Sequence, residues 1–267
     1  MKWAFETLQR YCKKFCMFND DIQGTAGVAL AGLLGAARAQ GRPLSDFIKQ
    51  KIVVVGARRF SAGIGVLSMA KQAVSRMTGD NEVTGNNPFW LLEKDGLVTK
   101  ARNDIELSAA PFARGFGPGE IEGLREGANL LEVVKKVKPH VLQGLSGVGW
   151  SWLYLFCGAE CTAADAFKHA RENIVFASGS PFGDVNLGNG KVGHANQANN
   201  MYLFPGIGLG ALFSGAHYIS DGMLQLIAEC IWHITTKVGV VVVREAIVEE
   251  RAEGHGDSVI HNMIEKL

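Results

Sequence analysis

One short run limits the folds open to this chain more than any other feature, and it reads "KIVVVGARRFSAGIGV", Lys51 to Val66. Its first half is rich in β-branched residues and ends at Gly56, which predicts a parallel strand buried on both faces. Its second half predicts the start of a helix. A strand, a glycine turn and a helix in this order are typical of α/β folds and of nucleotide-binding loops.

The rest of the chain continues the alternation of strands and helices. A helix rich in small residues, "TAGVALAGLLGAARAQG", precedes the run, and the spacing of Lys2 to Phe15 predicts another helix before it. Further strands are predicted in "PFWLLEKDGLV", "VLQGLSG" and "NIVFASGSPF", and an amphipathic helix in "EGANLLEVVKKVKPH". This alternation predicts an α/β fold with a doubly wound, Rossmann-like parallel sheet.

The glycine loop itself departs from the dinucleotide-binding pattern. That pattern uses one glycine for the tight turn, a second for the approach to the pyrophosphate and a third for helix packing. Gly56 fits the first position and Gly63 the last, whereas Arg58, Arg59 and Phe60 stand where the middle glycine belongs. Two interpretations stay open. Either the arginines bind phosphate, which suits a guanidinium, or they hold the backbone away from a pyrophosphate.

An acid ends the second predicted strand. It is Glu93, in "WLLEKDG". In folds of this type an acid at this point accepts hydrogen bonds from the adenosine ribose, so Glu93 predicts binding of NAD rather than NADP. The alternative is an ordinary acid at a strand end.

Charge and composition restrict the partners. The formal net charge is +1, so we expect no nucleic-acid partner. The stretch from Val192 to Ser220 contains no Asp, Glu, Lys or Arg, and its length would suit a membrane span. Because Pro205 and several glycines interrupt it, we expect a buried helix and loop, and no membrane partner. The five cysteines form no recognisable disulfide framework and predict reduced thiols.

Longer segments resemble one known family. "KFCMFNDDIQGTAGVALAGLLGAARAQG" resembles the junction leading into the cofactor domain of malic enzymes, and "QANNMYLFPGIGLGALFSGAHYISDGML" resembles a later segment of that domain. "GLREGANLLEVVKKVKPHVLQGLSGVG" is similar to the plant mitochondrial, NAD-dependent branch. The resemblance implies oxidative decarboxylation of malate to pyruvate and carbon dioxide, with reduction of NAD. It also implies a divalent metal, Mg²⁺ or Mn²⁺, which suits hard oxygen ligands.

The resemblance implies a set of site residues. Asp21 matches a metal ligand that Asp20 supports by hydrogen bonding, and Asn199 and Asn200 match a pair of substrate-binding amides. The cofactor-binding positions that it implies are Thr25, Gly56, Ala57, Gly63, Glu93, Gly144 and Ser146. Without the resemblance, the two adjacent acids are interpreted as helix caps and the two asparagines as turn-forming residues.

The resemblance also implies how the chain is organised. We expect residues 1–18 to be a helical remnant of the junction to an N-terminal domain. We expect residues 19–267 to be an incomplete NAD-binding domain with internal deletions near residues 150 and 231. The family's catalytic tyrosine and lysine belong to the absent N-terminal domain, so no catalytic residue is assigned here and we expect no appreciable malate oxidation by this chain alone.

Two expectations about the protein's setting follow from the same resemblance. The plant branch implies a mitochondrial location, and a cytoplasmic one is the alternative because no transit peptide is recognised in this sequence. The family implies a homo- or hetero-oligomer. The alternative function is that of a non-catalytic fragment that binds NAD or contacts another subunit.

Overall fold

The computed structural model describes residues 2–56, 62–78, 87–105, 109–115, 122–145, 161–170, 174–228 and 231. The α-helices with defined bounds are α1 (Lys2–Tyr11), α2 (Thr25–Ala39), α3 (Ala62–Thr78), α4 (Leu130–Val137), α5 (Ala163–Ala170) and α6 (Phe204–Ser214). The strands are β1 (Ile52–Val55), β2 (Phe89–Glu93), β3 (Gly96–Leu97), β4 (Val141–Gly144), β5 (Phe176–Ser178), β6 (Val185–Gly188), β7 (Lys191–Gly193) and β8 (Ala195–Gln197). Short π- or 3₁₀-helical segments cover Asp20–Gly24, Leu44–Lys49, Ala110–Phe112 and Asn200–Tyr202, and residues 221–228 are helical.

The main sheet has four strands in the order β3-β2-β1-β4. Strand β1 pairs in parallel with both β2 and β4, and Val54 lies between Leu91 and Gln143. The carboxyl ends of these three strands therefore meet at one edge of the sheet, where ligands of open α/β sheets bind.

Helices cover both faces of this sheet. Ile52 and Val54 of β1 pack in one apolar cluster with residues of α2 and α3. Val53 and Val55 point to the other face, into a second cluster with residues of α4. All four side chains are buried, as the run of β-branched residues predicts. The prediction of a doubly wound, Rossmann-like fold is confirmed, with a partial sheet.

Two details of the predicted sheet are wrong. The segment "PFWLLEKDGLV" forms a hairpin rather than one strand, because a turn at Lys94 and Asp95 folds β3 back antiparallel to β2. The strand in "NIVFASGSPF" is β5, which pairs with β8 in a separate two-stranded sheet instead of joining the main sheet. Amino-acid composition predicts that a segment is extended, but pairing partners depend on the rest of the fold.

Two helical predictions also need correction. Helix α1 ends at Tyr11, and the N–H groups of Lys14 and Phe15 both donate to the Tyr11 carbonyl in a turn. In the uncharged stretch, α6 buries only one side: Ile207 is buried, whereas Leu209 is 56% exposed. Across the described residues, no helix combines the length and the apolar character that a membrane crossing requires.

Candidate functional site

A small cavity opens at the carboxyl end of β4, and polar side chains from three parts of the chain line it. Its volume is about 270 Å³. The polar lining consists of Asp20, Thr25, Gln143, Asn199 and Asn200. Four of these five residues belong to the predicted site, so the fold brings together positions that lie up to 180 residues apart in sequence.

The turn that carries Asp20 is fixed by its neighbours rather than by the acids. The side-chain Oδ1 of Asn19 accepts a hydrogen bond from the Ile22 N–H at 2.9 Å, and the Asn19 N–H donates to Gln23 Oε1 at 3.0 Å. This reciprocal arrangement resembles a capping box. The cap is therefore Asn19, which leaves the carboxylates of Asp20 and Asp21 exposed in the first turn.

Asn200 joins two walls of the cavity. Its Nδ2 donates to the Asp20 carbonyl at 3.0 Å and lies 3.3 Å from the Asp20 Oδ2. The same nitrogen lies 3.2 Å from the Thr25 Oγ1. A Cβ at Gly24 would displace the Asp20 carboxylate, so glycine there keeps that carboxylate in its present position. Asp20 is thus part of the cavity wall, whereas Asp21 is not among the described residues that line it.

Asn199 builds the turn that presents Asn200. Its Oδ1 accepts from the Met201 N–H at 2.9 Å, which caps the short helical segment. Its Nδ2 donates to the Gly179 carbonyl at 3.2 Å, which ties the turn to the end of β5. The turn-forming interpretation of Asn199 therefore describes its local contacts well.

The other end of this edge carries Gly56 and Glu93. Gly56 has a φ of +92°, a conformation that suits glycine, and its N–H donates to the Leu92 carbonyl at 2.9 Å. Gly56 thus lies beside the end of β2, where Glu93 follows. The Glu93 Oε2 receives a hydrogen bond from Arg102 Nη1 at 2.9 Å, and that guanidinium also contacts Glu126.

The remaining cofactor-binding predictions fall at the same edge or outside the described residues. Gly63 is buried in the first turn of α3, and Gly144 ends β4. Ala57 and Ser146 lie outside the described residues, as does the loop segment 58–60 with its two arginines. Both interpretations of those arginines, as phosphate ligands or as residues that hold the backbone away from a pyrophosphate, therefore stay predictions.

Two site residues were missed by the sequence interpretation. Gly65 permits a close approach of α3 to the turn before α2, because a Cβ there would lie 3.3 Å from the Ile22 carbonyl oxygen. Gln143 lies in the sheet with no exposed surface and lines the cavity. The signal for Gln143 was present in "VLQG", since an amide is unusual inside a buried parallel strand.

The described residues do not form a complete metal site by themselves. Within the described ranges, no group of three or more His, Cys, Asp and Glu side chains is arranged to hold a metal ion. The carboxylates of Asp20 and Asp21 are of the donor type that Mg²⁺ prefers, but a hard cation needs about six oxygen ligands.

A larger cavity, of about 660 Å³, lies away from these residues. It is lined by the C-terminal part of α3, including Lys71 and Arg76, and by Gly222 of the helical stretch after Ser220. None of the predicted site residues lines it. Size alone therefore does not identify the site; the converging polar side chains do.

Comparisons with known proteins relate this chain to one family. The family model described as "Malic enzyme, NAD binding domain" matches residues 22–152 and 157–243. The NAD-dependent malic enzyme 59 kDa isoform, mitochondrial, of Solanum tuberosum is 58% identical over an alignment that covers 96% of this chain and 49% of that protein. The NAD-dependent malic enzyme 2, mitochondrial, of Arabidopsis thaliana is 56% identical, with 96% and 48% covered.

A solved structure gives the same fold. The crystal structure of Entamoeba histolytica malic enzyme matches with a TM-score of 0.52 at 20% identity, and the match covers 98% of this chain and 56% of that one. The chain spans about half the length of the curated relatives that it matches. From the extent of the family match and the identity to these relatives, the chain belongs to the malic enzyme family, within the family's NAD-binding domain.

Proposed function

We propose that this chain binds NAD at the carboxyl edge of its sheet. We also propose that, within a longer protein, it serves the NAD-dependent oxidative decarboxylation of malate to pyruvate and carbon dioxide. The observation that carries the proposal is the position of Gly56, at positive φ, beside the end of the adjacent parallel strand, where Glu93 lies. This is the geometry with which Rossmann-like sheets receive a pyrophosphate and a ribose.

The residues of this edge have distinct roles in the proposal. Gly56 and Gly63 shape the approach to the cofactor phosphates, and Glu93 accepts hydrogen bonds from the adenosine ribose. Ala57, Ser146, Thr25 and Gly144 complete the cofactor contacts that the family resemblance implies. Bound NAD would accept a hydride from the malate alcohol. The fit is supported by the cavity, which holds a buried amide without a hydrogen-bond partner in the described part of the chain.

Substrate binding is proposed for the wall formed by Asn199 and Asn200. Asn200 already contacts the Asp20 Oδ2 and the Thr25 Oγ1 through its amide nitrogen, so these three side chains form one hydrogen-bonded surface. Amides and hydroxyls of this kind can bind the carboxylate of malate. Asn199 uses both of its side-chain polar atoms within the turn, whereas Asn200 contacts the cavity wall through its amide nitrogen.

The metal ligand that we propose in this chain is Asp21, and Asp20 supports it by hydrogen bonding. Mg²⁺ or Mn²⁺ would require further oxygen ligands besides this carboxylate.

The organisation of the chain is likewise proposed: residues 1–18 form a junction segment, and residues 19–267 form an NAD-binding domain with deletions near 150 and 231. The alignment with the Solanum relative supports the deletions. It runs over 298 positions, whereas this chain has 267 residues, so the relative has residues there that this chain lacks.

The cellular location of the protein and its assembly are also proposals. The NAD-dependent relatives compared above carry the word mitochondrial in their names, which supports a mitochondrial location for this chain. A family-like homo- or hetero-oligomer is proposed from the resemblance to the family.

Calorimetric titration of the full chain with NAD tests the cofactor assignment. We expect heat of binding with NAD and weaker binding of NADP, because Glu93 repels a 2′-phosphate. The variant Glu93→Gln keeps the size of the side chain and removes its charge, so it should lose much of this preference. No heat at millimolar NAD would contradict the proposal.

A turnover assay separates the enzyme from the non-catalytic alternative. With malate, NAD and Mn²⁺, we expect no appreciable formation of NADH by this chain alone, since each positioned proton-transfer group contributes about 10²–10⁴-fold. NAD binding without turnover supports a cofactor-binding part of a longer enzyme. Turnover by the purified chain would show that the expected inactivity is wrong.

A further inference from the structure

Gln143 is a buried side chain to which the proposed function assigns no specific contact. It is the third residue of β4 and pairs in parallel with Val54. Its exposed fraction is 0%. Neither its Nε2 nor its Oε1 has a hydrogen-bond partner in the described part of the chain. A buried amide with both polar atoms unpaired is rare in folded proteins and calls for a physical reason.

Packing does not supply that reason. The partner strand β1 presents only apolar side chains, and Val54 beside Gln143 belongs to the apolar cluster formed with α2 and α3. A leucine or methionine would fill the same space without unpaired polar atoms. A water or a ligand group that enters the adjoining cavity would complete the amide, and unsatisfied groups concentrate where ligands bind.

The surroundings of Gln143 show where a ligand group would meet it. The side chain lines the cavity at the carboxyl edge, between apolar Val28 and Ala29 of α2 and the polar wall with Asp20 and Asn200. At about 270 Å³, the cavity is smaller than the roughly 300–1,000 Å³ of a complete ligand site. It therefore accommodates one end of a ligand rather than a whole dinucleotide.

We propose that Gln143 is a specificity-determining residue that binds the carboxamide of the nicotinamide ring. The inference rests on the proposed NAD binding. An amide offers one donor and one acceptor side by side, and a primary carboxamide satisfies both with two reciprocal hydrogen bonds. A carboxylate, such as those of malate, only accepts hydrogen bonds, so it would leave the Gln143 Oε1 unpaired.

Binding measurements on the full chain test the assignment with two probes, NAD and ADP-ribose, which lacks the nicotinamide ring. Gln143→Met conserves length and removes both polar atoms. We expect it to weaken NAD binding about tenfold, the effect of one to two net hydrogen bonds, and to leave ADP-ribose binding unchanged. The control is Gln50→Met, which replaces another buried amide just before β1, at the opposite edge of the sheet. It should alter neither affinity.

Thermal unfolding of the ligand-free protein gives an independent readout. If only a ligand pairs with the Gln143 amide, this amide destabilises the ligand-free protein. Gln143→Met removes the unpaired groups and should therefore raise the melting temperature. A lower melting temperature would show that Gln143 has a structural partner, and the inference would be wrong. Equal NAD affinity in Gln143→Met and the wild type, or equal losses of NAD and ADP-ribose affinity, would also overturn it.

The wild-type chain provides a test that does not depend on a variant folding. In the acetylpyridine analogue of NAD, a methyl group replaces the amide nitrogen, so the donor for the Gln143 Oε1 is lost. We expect this analogue to bind about tenfold more weakly than NAD. Equal affinity for both dinucleotides overturns the role of Gln143 alone. Failure to bind either dinucleotide or ADP-ribose overturns the proposed NAD binding itself.

Discussion

The two ends of the carboxyl edge differ in how their polar groups are paired. At the β2–β3 hairpin, Arg102 lies between Glu93 and Glu126, and the Glu126 Oε2 accepts hydrogen bonds from Thr99. At the cavity, Gln143 is more deeply buried, yet neither of its amide atoms has a hydrogen-bond partner in the described structure. Paired buried groups stabilise a fold, whereas unpaired ones destabilise it unless a ligand completes them. The Arg102 network therefore supports the hairpin that holds Glu93, and the cavity is the surface whose polar groups a ligand would complete.

The largest effect is expected from a substitution that the backbone of the hairpin cannot accommodate. Gly96 has a φ of +91°, and a Cβ there would fall on the backbone of Gly127 and Ala128. Gly96→Ala should lower the free energy of unfolding by about 3 kcal/mol, since both strain and a backbone clash oppose it. Urea denaturation measures the change.

A matched glycine separates the clash from the strain. Gly190 has a φ of +74°, but a Cβ there would meet nothing within 4 Å. Gly190→Ala should cost only about 1 kcal/mol, the price of the left-handed conformation. Equal costs at Gly190 and Gly96 would show that the hairpin does not depend on its contact with Gly127.

The next effect concerns the charges of the hairpin. Arg102→Ala leaves Glu93 and Glu126 without their shared cation, and both side chains are mostly buried, with 21% and 30% exposed. We expect a loss of about 2 kcal/mol in the free energy of unfolding, reduced from the cost of a fully buried pair by partial solvation. The shift of the urea denaturation midpoint measures this loss.

The control for Arg102 is an exposed ion pair in the same hairpin. Lys94 and Asp95 lie 3.9 Å apart and are 67% and 68% exposed. Lys94→Ala should change stability by less than about 0.5 kcal/mol. If Arg102→Ala were equally mild, the hairpin network would not be a support and the contrast with the cavity would fail.

A smaller effect is expected at the cavity wall. Asn200→Ala removes the contacts of Nδ2 with Asp20 and Thr25 and should cost about 1 kcal/mol, because a side-chain hydrogen bond contributes about that much. Asn186 makes a local contact instead, accepting from the Gly188 N–H at 2.9 Å on the surface. Asn186→Ala should cost less, and the reverse order of midpoints would contradict the bridging role of Asn200.

The smallest effect lies at the opposite edge of the sheet. The His140 Nδ1 accepts a hydrogen bond from the Lys51 N–H at 3.0 Å. Burial, and then the charges of Arg42 and Lys51, lower the pKa of His140. Its contribution to stability is therefore full above the ordinary value of about 6.5, and it is lost as the pH falls through the lowered pKa. Since His140 is partly exposed to solvent, the contribution is well below about 1 kcal/mol.

A pH series of denaturation midpoints tests His140. The wild-type midpoint should fall between about pH 7 and pH 5 by slightly more than that of His140→Gln, which keeps an acceptor that cannot be protonated. His169→Gln replaces a histidine of α5 and serves as the control. Identical pH profiles for the wild type and His140→Gln would contradict the assignment.

Local patterns predicted the elements of this fold but not all of their pairings. The run of β-branched residues before Gly56 predicts a strand buried on both faces, since apolar side chains predominate in a strand that helices cover on both sides. The same reasoning could not show that β5 leaves the main sheet, or that Lys94 and Asp95 form a turn. Those outcomes depend on which distant strand is available as a partner.

The sequence by itself determined the fold class, the family resemblance and the residue types at the site, because periodicity and long motifs are written in neighbouring residues. Only the tertiary structure decided that Asn200 meets Asp20 and Thr25, that Arg102 occupies the space between Glu93 and Glu126, and that Gln143 faces a cavity with its amide unpaired. The physical reason is that hydrogen bonding and burial depend on segments far apart in sequence, which no local pattern specifies.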